Sequence, residues 1–397
     1  MFTRLHDQHL PVDFITVSQE LENRRQLDET GGPAFLTHLL NVVPTSLHAE
    51  AYGRLVERDA IRRHLLESAT TIAKLAYAEE RDINEVVSEA EAALFAVSAR
   101  RTTRETLTLG QAARMYFDRL HELSQHPGEW RGVPTGFADL DKVLGGLQKS
   151  DLILLAARPG IGKTSWALSV ARHAALVHKK HVAVFSLEMN WEQLTQRLIA
   201  QETGIDAQRL RLGQIQDNEW PLLVEASETL SNMPILIDDT PGLTPRDLSA
   251  KCRRLDQEYG LDLIIVDYLQ LMRGGQRFEN RVAEVTYISQ QLKQLARELN
   301  VPVLANAQLS RAIEQRADKR PLLSDLRESG SQEQDADVVL FLHRTDDNVP
   351  DQSGTALEIM VAKQRNGPTH SGLPLIFKGA QTLFVDAESR RVDLNAI

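Results

Sequence analysis

A glycine-rich segment that follows an apolar run carries the strongest chemical signal in the sequence. The segment Ala156–Thr164 reads AARPGIGKT, and it comes directly after the apolar run Leu152–Ala157. Backbone amides of such a loop, together with the N-terminus of a following helix, can surround phosphate groups. The sequence therefore predicts a nucleotide-binding loop, although Ala157 replaces the first glycine of the usual pattern; its residues are Arg158, Pro159, Gly160, Ile161, Gly162, Lys163, Thr164 and Ser165.

The end of this loop and one further carboxylate predict a nucleoside triphosphate with its metal. Lys163 is expected to reach the terminal phosphates, and the hydroxyl of Thr164 is expected to face Mg²⁺. Asp267 ends the apolar run Leu263–Val266, which is the position of an acid that holds the metal through its water shell. We therefore expect ATP and Mg²⁺ as cofactors, with Thr164 and Asp267 at the metal.

Hydrolysis also needs a group that orients and deprotonates water, and a group that senses the terminal phosphate. Glu188 follows the apolar run Val182–Leu187, and Gln308 follows the run Val301–Ala305. Carboxyl ends of parallel strands converge on the ligand in a doubly wound sheet. We therefore predict Glu188 as the catalytic base and Gln308 as a sensor of the terminal phosphate.

Two cations near the C-terminal end of the chain have two possible interpretations. Lys363 and Arg365 follow the apolar run Leu357–Ala362 and are separated by one residue, so both point the same way from a strand. They would act as a lysine and an arginine finger if they reached the ATP of another subunit. Alternatively, they form the charged edge of a hairpin.

Two polar loops carry cations that suit a nucleic-acid backbone. The segment Ser310–Gly330 lies directly after the predicted sensor, and a second loop, Arg273–Arg277, follows Asp267. Loops after nucleotide-contacting strands can move with nucleotide state, and backbone amides near Gly330 could add phosphate contacts. Both loops could instead be solvated surface. The cations of the first loop are Arg311, Arg316, Lys319, Arg320 and Arg327.

Short apolar runs predict the element that must position these residues. They are rich in Val, Ile and Leu and nearly continuous, which is typical of strands buried on both faces of a mostly parallel sheet. Helical stretches separate most of the early runs, whereas the last runs follow closely and predict an antiparallel edge. Thr244, Pro245, Asp247 and Gly260 mark the start and end of one helix. The runs are Leu152–Ala157, Val182–Leu187, Ile235–Ile237, Leu263–Val266, Val301–Leu304, Val338–Leu342, Leu357–Val361 and Leu373–Phe377.

The region before the sheet predicts a different organisation. Residues 1–100 have helical apolar spacing and no convincing strand pattern, so we expect an all-α N-terminal domain. Residues 101–131 predict a linker whose helix carries an apolar face, and this face packs either on its own chain or on a neighbouring subunit. Residues 132–397 form the predicted α/β domain. The apolar face contains Leu109, Ala112, Ala113, Tyr116, Phe117 and Leu120.

Composition limits the classes of function. The formal net charge of −10 argues against bulk positive charge as the means of holding nucleic acid, so any such site must be local. One cysteine, Cys252, excludes an intramolecular disulfide and a cysteine-rich zinc site. Because there is no signal peptide and no apolar run of about 18 residues, we expect a cytoplasmic protein with no membrane partner.

In combination, several segments resemble the bacterial replicative DNA helicases of DnaB type. The N-terminal region resembles the same family from Leu10–Asp13 through Gly31–Pro33 to Ala92–Arg100. The resemblance implies a RecA-like P-loop NTPase motor domain, preceded by an all-α collar domain and a linker helix. The C-terminal segments that carry it are Gly132–Phe137, Ala156–Thr164, Phe185–Met189, Val266–Met272, Asp325–Ser331, Gln334–Asp337 and Lys363–Gly367.

The resemblance also implies roles and partners. Lys363 and Arg365 match a trans-acting pair, with Arg365 as the arginine finger, and the loop with Arg327, Glu328 and Gly330 matches a DNA-contacting loop. The implied assembly is a homo-hexamer around single-stranded DNA that moves 5′ to 3′ at forked DNA, with ATP between subunits and the linker helix docked on the next subunit. A primase and a helicase loader are the expected protein partners.

The sequence departs from the family in two ways, and two other functions remain alternatives. Family members carry further helices before the segment that begins here near Met1, so we expect a collar that is short at its N-terminus, and Asn306 stands where Ser is commoner. One alternative is a RecA-like recombinase, or a paralogue of one, that acts as a filament on DNA. The other is an ATP-dependent assembly or loading partner with negligible turnover.

Overall fold

The chain forms two compact units in the computed structural model, one ending at His121 and the other beginning at Glu122. The structure describes residues 13–24, 26–42, 49–78, 82–99, 108–125, 131–310, 313–314, 316, 318–344 and 354–387. Among these residues, no helix has both the length and the apolar character needed to cross a membrane.

The first unit is helical, as predicted. Its helices are joined by short contacts such as the 3.2 Å hydrogen bond from the Ser68 hydroxyl to the Ala93 carbonyl oxygen. Asp13 caps the first helix through the amides of Ile15 and Thr16, which otherwise lack acceptors. The helices are α1 (Phe14–Asn23), α2 (Gly32–Val42), α3 (Ala49–Ala76), α4 (Ile83–Ala99) and α5 (Leu109–Gln125), the last of which continues across the boundary between the units.

The second unit contains a nine-stranded sheet with the order β3-β2-β4-β5-β1-β6-β7-β8-β9. Strands β3 to β6 in this order are parallel, and β6 to β9 are antiparallel, which confirms the predicted mostly parallel sheet with an antiparallel edge. The sequence runs did not predict β9, which has only four residues. The strands are β1 (Leu152–Ala157), β2 (Val182–Ser186), β3 (Ile235–Asp238), β4 (Leu263–Asp267), β5 (Val303–Gln308), β6 (Val338–Arg344), β7 (Thr355–Gln364), β8 (His370–Lys378) and β9 (Leu383–Asp386).

Helices connect the parallel strands and cover both faces of the sheet. The predicted start and end of α11 (Pro245–Tyr259) are confirmed, because Thr244 and Asp247 form a capping box and Gly260 ends the helix. The helices are α6 (Ala138–Leu144), α7 (Lys163–His178), α8 (Trp191–Thr203), α9 (Ala207–Arg211), α10 (Trp220–Ser231), α11 (Pro245–Tyr259), α12 (Arg281–Leu299) and α13 (Gly330–Asp335), with 3₁₀ turns at Asp217–Glu219, Leu269–Leu271 and Leu323–Ser329.

The central strand β1 shows why the sheet forms. All six of its side chains are buried, and they alternate between two hydrophobic clusters on opposite faces. Leu155 belongs to the cluster that contains Trp166 of α7, whereas Leu154 belongs to the cluster that contains Leu292 of α12. Burying a leucine side chain stabilises the fold by roughly 1.5–3 kcal/mol, so this strand is held firmly where the glycine-rich loop begins.

Candidate active site

The glycine-rich loop joins the carboxyl end of β1 to the N-terminus of α7. Gly160 and Gly162 have φ angles of 80° and 105°, which side chains with a Cβ atom rarely adopt. A Cβ atom on Gly162 would also lie 3.1 Å from the ring of Phe384, which belongs to β9. The backbone path therefore requires glycine at both positions, and the short ninth strand helps to shape the loop.

Lys163 and Thr164 begin α7 and face acidic groups on other elements. Burial lowers the pKa of the Lys163 ammonium, and the charges of Asp267 and Glu188 partly offset this effect. Its hydrogen bond to the Ala157 carbonyl oxygen is long, at 3.4 Å. The Thr164 hydroxyl lies 2.5 Å from Oδ2 of Asp267. The structure thus brings three of the predicted site residues together.

Asp267 ends β4 and is buried, with 3% of its surface exposed. Its second carboxylate oxygen, Oδ1, accepts a 2.8 Å hydrogen bond from the Asn306 amide on β5, a side chain that is fully buried. Asn306, which stands where Ser is commoner in the family, therefore has a direct contact with the predicted metal acid. Its place on an apolar strand beside Asp267 was the signal that could have indicated it.

Glu188 lies two residues beyond β2, and its side chain is exposed. The register pairs Ser186 with Asp267, and the Leu187 amide donates to the Asp267 carbonyl oxygen at 2.7 Å. The Glu188 charge raises the pKa of Lys163 against the effect of burial. These observations place an exposed carboxylate near Lys163 and the predicted metal acid Asp267, which agrees with the position expected of the predicted base.

Arg197 is a cation at this site that the sequence reading did not single out. It lies on α8, and its Nη1 atom is 3.4 Å from the hydroxyl of Ser165. Burial lowers the pKa of its guanidinium, whereas Asp267 and Glu188 act in the opposite direction. A guanidinium beside these carboxylates supplies positive charge from the same chain. Only the folding of α8 against α7 brings it there, because its spacing along the sequence carries no motif.

Gln308 ends β5 directly beside the end of β1, where the register pairs it with Ala157. The Gln270 side chain binds both backbone groups of Gln308. Its Nε2 donates to the Gln308 carbonyl oxygen at 3.4 Å, and its Oε1 accepts from the Gln308 backbone amide at 3.2 Å. Gln270 follows Asp267 by three residues. The predicted sensor and the loop after the predicted metal acid are therefore linked.

Arg158, the first polar residue of the loop, forms a 2.7 Å ion pair with Glu314. Glu314 belongs to the segment that follows Gln308. Ile161 is partly buried against the hydrophobic core, and Ser165 is 3% exposed. The loop is thus fixed by packing at Ile161 and by charge at Arg158, and both contacts involve side chains within the same unit.

Lys363 and Arg365 lie at the opposite end of the sheet from this cluster. Strand β7 ends beside the start of β6, and the Arg365 amide donates to the Asp337 carbonyl oxygen at 2.9 Å. The Asp337 carboxylate in turn accepts from the Leu152 amide at 2.8 Å, at the first residue of β1. Six-residue β1 separates this point from the glycine-rich loop by roughly 17 Å, which exceeds the length of an arginine side chain.

The predicted DNA-contacting residues are described only in part. Arg311 lies outside the described residues, and the side-chain surroundings of Arg327 and Glu328 lie outside them as well. Gly330 is the first residue of α13, directly after the 3₁₀ turn Leu323–Ser329. Two other cations of the loop form ion pairs within the chain: Arg316 with Asp325 at 2.7 Å and Arg320 with Glu358 at 3.1 Å.

The cluster fits a triphosphate with its metal on chemical grounds. The half-buried Lys163 ammonium has a long contact to one carbonyl oxygen, so an anion would be a better partner. The Thr164 hydroxyl and the Asp267 carboxylate present oxygen donors side by side, which is the ligand type that Mg²⁺ prefers. Gly160 and Gly162 have positive φ angles, and successive amides in such turns can form an anion-binding concavity.

Residues 132–386 match the family described as DnaB-like helicase C terminal domain, and residues 1–58 match DnaB-like helicase N terminal domain. The chain belongs to the DnaB-like helicase family. It is 45% identical to the replicative DNA helicase DnaC of Bacillus subtilis over 97% of this chain and 85% of that protein. The replicative DNA helicase DnaB of Geobacillus stearothermophilus is also 45% identical, over 98% and 86% of the two chains.

Solved structures agree with this assignment. A DnaB-like replicative helicase, solved in a study of its interactions with primase, superposes with a TM-score of 0.71 at 30% identity over 97% of this chain and 90% of that one. A second solved structure, an isolated ATPase domain, gives a TM-score of 0.67 at 35% identity, covering 72% of this chain and 100% of its own. The expected RecA-like motor fold and replicative helicase activity are thereby confirmed, and this DnaB-like helicase is an ATP-dependent enzyme that uses a nucleotide.

Proposed function

We propose that this helicase works as a homo-hexameric ring whose ATP sites are completed by neighbouring subunits. The observation that carries the proposal is the separation of the two halves of the predicted site. Lys163 lies at the carboxyl end of β1, whereas Arg365 lies beside the start of the same strand. Because one chain cannot bring these groups together, Arg365 acts on the nucleotide of another subunit.

The residues divide the chemistry of hydrolysis between the two subunits. Thr164 and Asp267 would hold Mg²⁺, which would supply positive charge to the phosphates. Lys163 holds the terminal phosphates, and Glu188 orients the attacking water and accepts its proton. Lys363 and Arg365 of the neighbouring subunit stabilise the charge that develops on the transferring phosphoryl group. Gln308 responds to the loss of that group.

A mixing experiment tests whether sites are shared. We expect K163A and R365A each to hydrolyse ATP at background rates when assayed alone. Co-assembly of the two variants places an intact Lys163 beside an intact Arg365 at some subunit boundaries, so ATP turnover should return in part. If the mixture stays at the background rate although mass photometry shows mixed rings, the sites are not shared in this way.

Helix α5 supplies a second argument for assembly. Its predicted apolar face includes four large exposed side chains, whose exposed fractions range from 41% for Leu120 to 86% for Leu109. A surface groove of about 560 Å³ lies between α8 and α10 of the second unit, and Trp191 and Leu223 line it. We propose that α5 of one subunit docks in this groove of the next. The four exposed residues are Leu109, Tyr116, Phe117 and Leu120.

Two tryptophans provide a matched test of this docking. Trp191 and Trp220 are each 56% exposed, but only Trp191 is among the groove-lining residues. We expect W191S to weaken ring assembly, measured as the hexamer fraction by mass photometry over a dilution series. W220S should assemble as the unchanged protein does, and equal effects of the two substitutions would remove the groove from the interface.

We further propose that the ring encloses single-stranded DNA, moves 5′ to 3′ and unwinds forked DNA. Arg327, Glu328, Gly330 and Arg311 are the proposed DNA contacts, on the segments that follow the predicted sensor. Strand separation should be measured on forks that carry only a 5′ tail, only a 3′ tail, or both. Unwinding that requires the 5′ tail supports the direction, whereas unwinding that requires only a 3′ tail contradicts it.

The domain division and the protein partners follow from the same family. We propose a helical collar at 1–100, a linker at 101–131 and the motor at 132–397. A solved DnaB-like relative was studied with primase, and this supports a primase as a partner of the collar here. A helicase loader is the second expected partner. Stimulation of unwinding by a primase from the same organism, and its loss when residues 1–100 are removed, would test the first of these.

A further inference from the structure

Lys363 and Arg365 bind backbone carbonyl groups of their own chain. The Lys363 ammonium donates to the carbonyl oxygens of Glu333 and Gln334, the latter at 3.4 Å. Nη2 of Arg365 donates to the Gln334 carbonyl oxygen at 2.9 Å. Both cations of the proposed trans-acting pair therefore hold the Gln334 carbonyl group of α13, and Lys363 holds that of Glu333 as well.

These two carbonyl groups belong to the end of a very short helix. Helix α13 has six residues, and the last four carbonyl groups of any helix lack partners within it. Cations near a helix C-terminus satisfy such carbonyls and interact favourably with the helix dipole. In so short a helix, the contacts at its end contribute a large part of its stability. Helix α13 directly follows the turn Leu323–Ser329, which carries the proposed DNA contacts Arg327 and Glu328.

The other side of Arg365 rests on a fixed carboxylate. Nη1 of Arg365 is 3.3 Å from Oδ1 of Asp337, whose side chain is 5% exposed. Oδ2 of Asp337 accepts from the Lys293 ammonium and from the Leu152 amide, so the acid is attached to both α12 and β1. Arg365 thus links the rigid start of the sheet to the end of α13.

We propose that Lys363 and Arg365 form a latch, meaning that they hold the end of α13 until a neighbouring subunit binds ATP. The two cations then bind the phosphates of that ATP instead of the carbonyl groups of α13. Lys363 directs its ammonium at two carbonyl oxygens, and a phosphate would compete with those oxygens for the same donors. Nucleotide binding in one subunit would then loosen the DNA-contacting segment of the next. The proposal rests on the shared ATP site described above and adds a connection from that site to DNA.

Backbone hydrogen exchange of the full-length protein, measured without DNA, tests the latch. In the absence of nucleotide, R365A and K363M should each raise the exchange rate of the amides in residues 330–336 by roughly tenfold, because each removes a hydrogen bond from a charged donor. K163A is the matched control, since it changes a cation of the ATP site that does not contact α13. Its exchange in the same residues should equal that of the unchanged protein.

Nucleotide then distinguishes a latch from a static helix cap. Adding ADP with beryllium fluoride and Mg²⁺ to the unchanged protein should raise exchange in residues 330–336, and the same addition to K163A should not. The latch would be overturned if exchange in residues 330–336 rose in R365A but nucleotide did not raise it in the unchanged protein. It would also be overturned if neither the substitution nor the nucleotide raised exchange. ATP turnover of R365A is measured separately. Normal turnover would contradict the shared site itself, whereas lost turnover with unchanged exchange would contradict only the latch.

Discussion

The two ends of the motor sheet are built in different ways. At the carboxyl ends of the parallel strands, Thr164 contacts Asp267, and the charge of Asp267 acts on Lys163 within the same chain. At the other end, the Arg365 side chain contacts the buried Asp337 carboxylate and the Gln334 carbonyl oxygen. The first end forms a nearly complete phosphate site by folding, whereas the second holds groups whose proposed substrate belongs to another subunit.

In the proposed ring, this difference makes hydrolysis depend on assembly. A chain that folds alone has the predicted binding loop, the predicted metal acid and a candidate base, but its site lacks the cations proposed to stabilise the transferring phosphoryl group. Substitutions at the first end should therefore affect binding and turnover together. Substitutions at the second end should affect turnover while nucleotide binding remains.

The largest expected effect is that of Lys163→Ala at the first end. Removal of the half-buried ammonium takes away the proposed main contact to the terminal phosphates, so ATP turnover and unwinding should both fall to background. Nucleotide affinity, measured with a fluorescent ATP analogue, should fall as well. Retained unwinding in this variant would show that the glycine-rich loop is not the site of the motor.

Arg365→Ala should have an effect of similar size on turnover but not on binding. An arginine finger is worth about 10³–10⁵ in rate, so steady-state ATP hydrolysis should be almost lost. Affinity for the fluorescent analogue should stay within a few-fold of the unchanged protein. Near-normal ATP turnover in this variant would contradict the shared site, which requires Arg365 for hydrolysis.

Asn306→Ala should have an intermediate effect at the first end. Its amide holds Oδ1 of Asp267 at 2.8 Å, and loss of such an outer contact typically weakens a metal site by about 10–100-fold. The Mg²⁺ concentration needed for half-maximal ATP turnover should therefore rise, with less change in turnover at saturating Mg²⁺. Asn306→Ser keeps a donor and should recover most of the loss. Equal Mg²⁺ dependence in all three proteins would make Asn306 a packing residue only.

The smallest expected effect concerns stability at the second end. Burial and the nearby Asp337 charge raise the pKa of Asp151 from 3.8 to about 6. Because the folded-state pKa is raised, ionisation of Asp151 weakens the fold as pH rises from about 4 through 6. Asp151→Asn should therefore stabilise the protein at pH 7–8 by about 1 kcal/mol after allowance for solvent screening, and not at pH 4.

Thermal unfolding at several pH values measures this effect. A change of about 1 kcal/mol corresponds to a shift of roughly 2–4 °C for a unit of this size. A shift of the midpoint that is the same at pH 4 and at pH 8 would mean that the charge of Asp151 is not its source.

Much of the fold could be read from the sequence because local patterns report it directly. Eight apolar runs predicted eight of the nine strands. The reason is clearest for β1, β2 and β4, which are buried throughout and must therefore be apolar along most of their length. The ends of α11 were predicted because Thr244 and Gly260 satisfy backbone groups within a few residues of themselves. Strand β9 was not predicted, although it has four residues as β3 does, and its Phe384 ring lies against Gly162 of the glycine-rich loop.

The sequence by itself determined the residues with a chemical signature: the glycine-rich loop with Lys163, and the carboxylate of Asp267 at the end of an apolar strand. Their types and immediate neighbours are sufficient, because backbone geometry and metal chemistry constrain them locally. Only the tertiary structure showed that Arg197 and Asn306 face Asp267 and that Arg365 lies at the far end of β1. Those relations depend on strand order and helix packing, which bring together residues that are distant in the chain and carry no local pattern.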